Sequence, residues 1–234
     1  MKIPQTQVVS YAQALLLVDQ AEEKGWEIRF LPEKNQLLVE NEGGWLIKLF
    51  LPWTLSWNPD RKFQELDDVH YCLTLVRAGQ ASVGYFHQGK LLDHKVFRGY
   101  LVRQKQGKSQ FKYLKTKGKS RAGSRIRLEE TLLFFNEINE RLQVYAKQYP
   151  LNFWGLGCAK TLWPLLFDGE ITAPFTSKSP ELIELPYPFI KGSYEELQEL
   201  ELRLQQFHLL LSTAGKEVFS IPSSSIPEDA DDTW

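Results

Sequence analysis

The chain has 234 residues, 43% of them hydrophobic, with 7 Trp, 9 Tyr and 14 Phe, enough apolar mass for one ordinary domain plus an extension. That content excludes a globally disordered chain. Only 15 Gly and 12 Pro exclude collagen-like classes, and two cysteines, Cys72 and Cys158, cannot build a disulfide framework. The formal net charge of −1 argues, taken alone, against a nucleic-acid binder.

In chain order, the spacing of Val8, Tyr11, Ala12, Leu15, Leu16 and Val18 predicts an amphipathic helix over 7–24 with Gly25 closing it. Three short strands follow at 26–31, 36–40 and 45–50, separated by Pro32-Glu33-Lys34-Asn35 and Asn41-Glu42-Gly43-Gly44. This helix-plus-meander unit, residues 1–52, is expected to be a small α+β unit, with 52–59 as a junction. A second meander is predicted at 69–77, 81–88 and 91–103. A long helix over 128–149 follows, with Leu128, Leu132, Phe135, Ile138, Leu142 and Tyr145 on one face and Pro150 as its stop. Next come a strand at 151–157, a short helical piece at 159–167 and a strand at 182–185. Ser193 and Glu196 form a capping box, and its helix is expected to run to Leu211. Residues 213–234 turn polar and are expected to be a disordered acidic tail. Strands first and then alternating helices and strands give an α/β mixed sheet with flanking helices over 53–212.

The net charge hides a segregation. Between Lys95 and Arg127 every charged residue is a cation: Lys95, Arg98, Arg103, Lys105, Lys108, Lys112, Lys115, Lys117, Lys119, Arg121, Arg125 and Arg127. Elsewhere the chain carries 16 cations against 29 acids. Like charges at this density repel one another and call for a polyanion. Gly107, Gly118 and Gly123 suit a loop that must approach another molecule closely. The bland alternative is a solvated basic loop.

Other chemistry finds less support. His70, His87, His94 and His208 show no metal-ligand spacing in sequence and read as satisfied core or surface residues, so no metal is expected. Asp67 and Asp68 read as surface residues. Gly107-Lys108-Ser109 lacks the earlier glycine of a phosphate-binding loop, Ser124 lies in no nucleophile elbow, and Cys158 has no evident base. What remains is Gln110 on the basic loop. A glutamine amide is neither acid nor base, but it can position water or donate to an oxyanion.

The residues His94, Lys95, Phe97, Tyr100, Arg103, Lys105, Gly107, Ser109 and Gln110, followed by Ala122, Gly123, Ser124 and Arg127 and then a long helix, carry a resemblance. The chain resembles the VLRF-type release factor domains of ribosome quality control, which are similar to the middle domain of eukaryotic and archaeal peptide release factors. It departs from that pattern at Lys108, which replaces a second Gly, at Arg121, which replaces a Ser, and at Glu129-Glu130-Thr131, which replaces Tyr-Asn-Glu. The resemblance spans about residues 53–212.

It implies a ribonuclease H-like fold of the release-factor middle-domain type. It implies cleavage of peptidyl-tRNA on stalled ribosomes or free large subunits, with Gly107, Ser109 and Gln110 catalytic on a basic loop, 104–122, inserted in the peptidyl transferase centre. The cations would bind RNA. The expected partners are the large ribosomal subunit, peptidyl-tRNA and rRNA, with no membrane, no cofactor and no metal, for a cytoplasmic monomer. The loop is expected to be disordered without RNA. Two alternatives are a non-catalytic ribosome- or RNA-binding protein of the same fold and a metal-dependent nuclease, which would need clustered carboxylates. The N-terminal sequence lacks the apolar stretch of a signal peptide, so no leader is expected.

Overall fold

A computed structural model describes residues 6–60, 62–99, 122–185 and 187–219, with side chains described from Leu128 onward in the helix that begins at Ala122. Two five-stranded sheets carry the fold, joined by a small hairpin.

The first sheet has the order β1-β12-β4-β3-β2 and is antiparallel throughout, from β1 (Gln7–Val9), β2 (Glu27–Leu31), β3 (Gln36–Asn41), β4 (Gly44–Phe50) and β12 (Phe207–Leu211). Helix α1 (Tyr11–Glu23) buries Ala14, Leu17, Val18 and Ala21 in the same core as Leu37, Leu46 and Leu49. Its start is a capping box between Ser10 and Gln13, and this is why the expected helix over 7–24 is corrected: residues 7–9 are already extended and pair with β12.

A hairpin of β5 (Leu55–Asn58) and β6 (Lys62–Glu65) stands where a junction was expected, and Phe63 packs into the first core beside Phe207. The helix expected to reach Leu211 stops at Leu204. After Gln205 the run FHLLL extends as β12 and fills the gap between β1 and β4, so a C-terminal segment completes the N-terminal sheet. Aliphatic spacing alone could not separate these, because LRLQQFHLLL serves a helical stripe or a buried strand equally. The polar tail is also corrected at its start: α5 (Thr213–Val218) is capped by Ser212, and Phe219 is buried against Trp26. Residues 220–234 lie outside the described residues.

The second sheet has the order β11-β10-β7-β8-β9, from β7 (His70–Arg77), β8 (Gln80–His87), β9 (Lys90–Arg98), β10 (Phe153–Cys158) and β11 (Leu182–Glu184). β7, β8 and β9 form an antiparallel meander, while β10 runs parallel to both β7 and β11. Both faces of this sheet are covered, which is why β7 reads as a nearly unbroken apolar run. Cys72, Val76, Val83 and Tyr85 face helix α2 (Ala122–Gln148) through Phe134, Phe135, Ile138, Leu142 and Tyr145. Tyr71, Leu73, Leu75 and Phe86 face helix α4 (Tyr194–Leu204) through Leu197, Leu200 and Leu204. The short helix α3 (Trp163–Phe167) is tied to α2 by Asn139, whose amide donates to the carbonyls of Leu166 and Ile171 at 2.9 and 2.6 Å. α2 begins six residues before the expected start at Leu128, so Ala122 belongs to the helix and not to the basic loop.

The two sheets meet around a buried polar cluster. The Tyr71 hydroxyl donates to Glu201 at 3.1 Å and accepts from the Gln205 amide at 2.9 Å, and the Thr54 hydroxyl donates to Gln205 at 3.1 Å. Burial raises the Glu201 carboxyl above its ordinary value, against the pull of its Tyr71 and Gln205 hydrogen bonds.

Candidate nucleic-acid interface

The basic segment is bracketed by two elements packed on each other. Strand β9 carries Lys95 and Arg98, both exposed, with the Lys95 Nζ 4.9 Å from the Phe97 ring centroid. Arg98 pairs in register with Gln80, and the next amide, Gly99, donates to the carbonyl of Gly79 at 3.0 Å. A Cβ on Gly99 would sit 2.9 Å from Phe134 Cδ2, so the strand end lies directly against α2.

Helix α2 runs back against β9. Arg141 and Asp93 pair at 2.5 Å near the middle of the strand, whereas Phe134 packs at the strand's end. Nothing from Leu128 to Leu133 is buried, and Leu133 is 59% exposed. The helix therefore joins the buried core only from Phe134, and its first three turns, about 18 Å at 1.5 Å per residue, precede that point. Arg125 and Arg127 fall in this part, and no acid offsets them in the first turn. Cations at a helix N-terminus oppose the macrodipole, a cost a bound polyanion removes.

Gly107, Ser109 and Gln110 lie outside the described residues, as do Arg103, Lys105, Lys108, Lys112, Lys115, Lys117, Lys119 and Arg121, and with them the expected disorder of the loop. The structure thus locates Lys95, Arg98 and the two ends of the segment, at Gly99 and Ala122.

The same end of the sheet carries further cations. Arg77 closes β7 and donates from Nε to the Phe189 carbonyl at 3.1 Å. Lys160 follows β10, pairs with Glu184 and lies 3.3 Å from the Trp163 ring centroid. The link before α4 is clamped by Glu196, whose carboxylate accepts from the backbone N–H groups of Ile190, Lys191, Gly192 and Ser193 at 2.6, 2.8, 2.6 and 3.3 Å. Burial works to raise that carboxyl, and the four N–H donors outweigh it and hold it low. Beside it, Glu195 is also held low by hydrogen bonds from the Ser193 hydroxyl and its own amide, with Lys191 and Arg98 adding to the effect.

Nucleophilic chemistry at the cysteines has no support here. Burial pushes the thiols of Cys72 and Cys158 up to about 12. β7 and β10, the central strands, carry no carboxylate, so the cluster a metal-dependent nuclease needs is not on them.

Sequence reasoning missed one constellation. His70 and His87 face each other across β7 and β8 with their rings stacked at 4.2 Å, and the Nε2 of each lies against Asp68 Oδ1, at 3.0 and 2.8 Å. Those two hydrogen bonds hold the Asp68 carboxyl below its ordinary value. The signal was present: His70 stands eight residues before Ala78 and His87 eight residues after Gly79, so a tight hairpin turning at Ala78-Gly79 must pair them.

No curated protein matches the chain. Among solved structures, it is similar to one described as the Vms1 mitochondrial localization core, at 9% identity over 89% of this chain and 87% of that one, with a TM-score of 0.43. The family model described as the Bacteroidetes VLRF1 release factor matches residues 71–212, a span that takes in β7 to β12, the basic segment and all of α2. With well over half of its length matched, the chain belongs to the bVLRF1 family of release factors.

Proposed function

We propose that the protein is a ribosome quality control factor that cleaves peptidyl-tRNA, with Gly107, Ser109 and Gln110 as its catalytic residues and Gln110 as the one that acts on the reacting bond. The observation that carries this reading is the family match, which runs through the basic segment and the Gly107-Lys108-Ser109-Gln110 sequence within it. Gln110 would act through its amide, donating to the oxyanion or holding the attacking water, while the RNA supplies the rest of the site. The lack of carboxylates on β7 and β10 disfavours the nuclease alternative. The order β11-β10-β7-β8-β9, with only β8 reversed, supports the ribonuclease H-type description.

The proposed setting is the cytoplasm, on the large subunit, with the protein as a monomer against peptidyl-tRNA and rRNA. Among the described residues no helix is long and apolar enough to cross a membrane. Lys95, Arg98, Arg125 and Arg127 bracket the RNA-facing surface, and the cations between them would neutralise phosphates without reading sequence.

The test uses stalled ribosome–nascent-chain complexes. The parent protein is expected to free the nascent chain, and a chain with residues 104–121 replaced by a neutral linker is expected to free none. Analysis of the tRNA 3′ end then separates ester hydrolysis from a cut within the tRNA. Tight, salt-sensitive binding with no release at any concentration would favour the non-catalytic ribosome-binding alternative.

A further inference from the structure

We infer that Asp68, His70 and His87 form a binding site for one divalent ion of the zinc class, at the end of the second sheet opposite the basic segment. Among the described residues this is the group whose nitrogen and oxygen donors converge, all within 4.8 Å of one another. The donor set, two imidazoles and a carboxylate, is the set zinc takes when one position stays open to water. Two donors about 2.0–2.1 Å from one ion lie about 2.9–3.4 Å apart at tetrahedral to right-angle geometry. The observed separations from Asp68 Oδ1, 3.0 and 2.8 Å, need only a few tenths of an ångström of adjustment, while the two imidazoles, stacked at 4.2 Å, must tilt so that their nitrogens converge on the ion. Asp68 can give that much, since its side chain is 76% exposed.

The surroundings hold the ligands as a metal site requires. The Nδ1 of His70 lies 2.6 Å from the Tyr85 hydroxyl, which fixes the ring and its Nε2, and Tyr85 is itself stacked on Tyr149 at 3.6 Å. Asp68 reaches the histidines from a left-handed backbone, φ 58°, that suits Asp and Asn but few other residues. The segment bearing Asp68 is tied to the turn after β8 by Gln88, whose amide donates to the Val69 carbonyl at 2.9 Å and whose side chain donates to that of Leu66 at 3.0 Å. An ion here would pin the start of β7, the end of β8 and the link from β6. Arg77 is seven residues along β7, about 23 Å away at 3.3 Å per residue, so the ion has no place in chemistry at the basic segment.

The experiment takes the full chain without a polyhistidine tag, strips it with chelator and titrates it with cobalt(II), followed by competition with zinc(II). The expected result is one cobalt per chain, with the intense visible bands of a low-coordinate nitrogen and oxygen site and no thiolate charge-transfer band. Asp68→Asn, which keeps the backbone preference, and His87→Gln are each expected to weaken binding about 100-fold, while circular dichroism shows both folded. Absence of saturable binding by the parent would overturn the site in favour of a proton-bridged His–Asp–His clamp. Equal binding by the parent and both variants would overturn it in favour of another location.

Discussion

Gly99→Ala tests the packing that brackets the basic segment. The added methyl would meet Phe134 at 2.9 Å from Cδ2 and 3.1 Å from Cβ and Cγ, closer than carbon atoms pack. Phe134 cannot swing away, because it is 2% exposed and wedged edge-on against Phe135 at 5.4 Å. Helix α2 is pinned farther along by Arg141 to Asp93, and β9 by the Gly99 amide on Gly79. Overpacking of this kind costs about 1–3 kcal/mol. In a chain of this size each kcal/mol lowers Tm by about 2–4 °C, so a fall of about 4–8 °C in a calorimetric scan is expected for a cost near 2 kcal/mol. Phe134→Ala removes Cγ and Cδ2 and leaves only Cβ near the added methyl, so the double variant is expected to lose less than the sum of the singles, by about 0.5–3 kcal/mol. A Gly99→Ala protein within about 0.5 kcal/mol of the parent, or strict additivity with Phe134→Ala, would refute the close contact between β9 and α2.

Three further outcomes follow from the same structure. Glu196→Gln removes the carboxylate that clamps residues 190–193 and should cost about 0.5–2 kcal/mol in denaturant unfolding at neutral pH. Because that carboxyl is held low in the fold, its contribution is complete above the ordinary value of 4.5 and is lost as pH falls below it, so parent and variant should converge in acid. Tyr71→Phe removes one of the two hydrogen bonds to the half-buried Glu201 carboxylate and should cost about 1–3 kcal/mol. The Glu201 carboxyl is raised in the fold, so this loss should shrink as pH drops and the carboxyl protonates. Ribosome binding, measured by co-sedimentation, should weaken about 1000-fold between about 50 and about 200 mM salt if about six phosphates are contacted.

Much of the second sheet was legible because its strands and helices are long and differently periodic. VHYCLTLVR and the Phe135–Tyr145 part of the stripe each admit one reading, whereas Leu128 and Leu132, expected on the same face, stay outside the core, and the Ser193–Glu196 capping box is as the sequence indicates. The first sheet was read less well. Its strand β12 lies about 160 residues after β4 in sequence, and no local pattern announces a pairing at that separation. FHLLL looks like the continuation of the preceding helix until the gap between β1 and β4 is seen. The cationic segment was legible as charge, and its brackets at Gly99 and Ala122 required the packing of Phe134. The histidines were judged one by one along the chain, and their meeting is a property of strand register.

The central claim is that Gln110 promotes cleavage of peptidyl-tRNA. The most direct test is a single-turnover comparison of the parent and Gln110→Ala on stalled ribosome–nascent-chain complexes, with ribosome affinity measured in parallel. The account expects unchanged affinity and a release rate lower by about 100-fold or more, the scale of losing one oxyanion donor. Equal release by the two proteins at equal occupancy would contradict it.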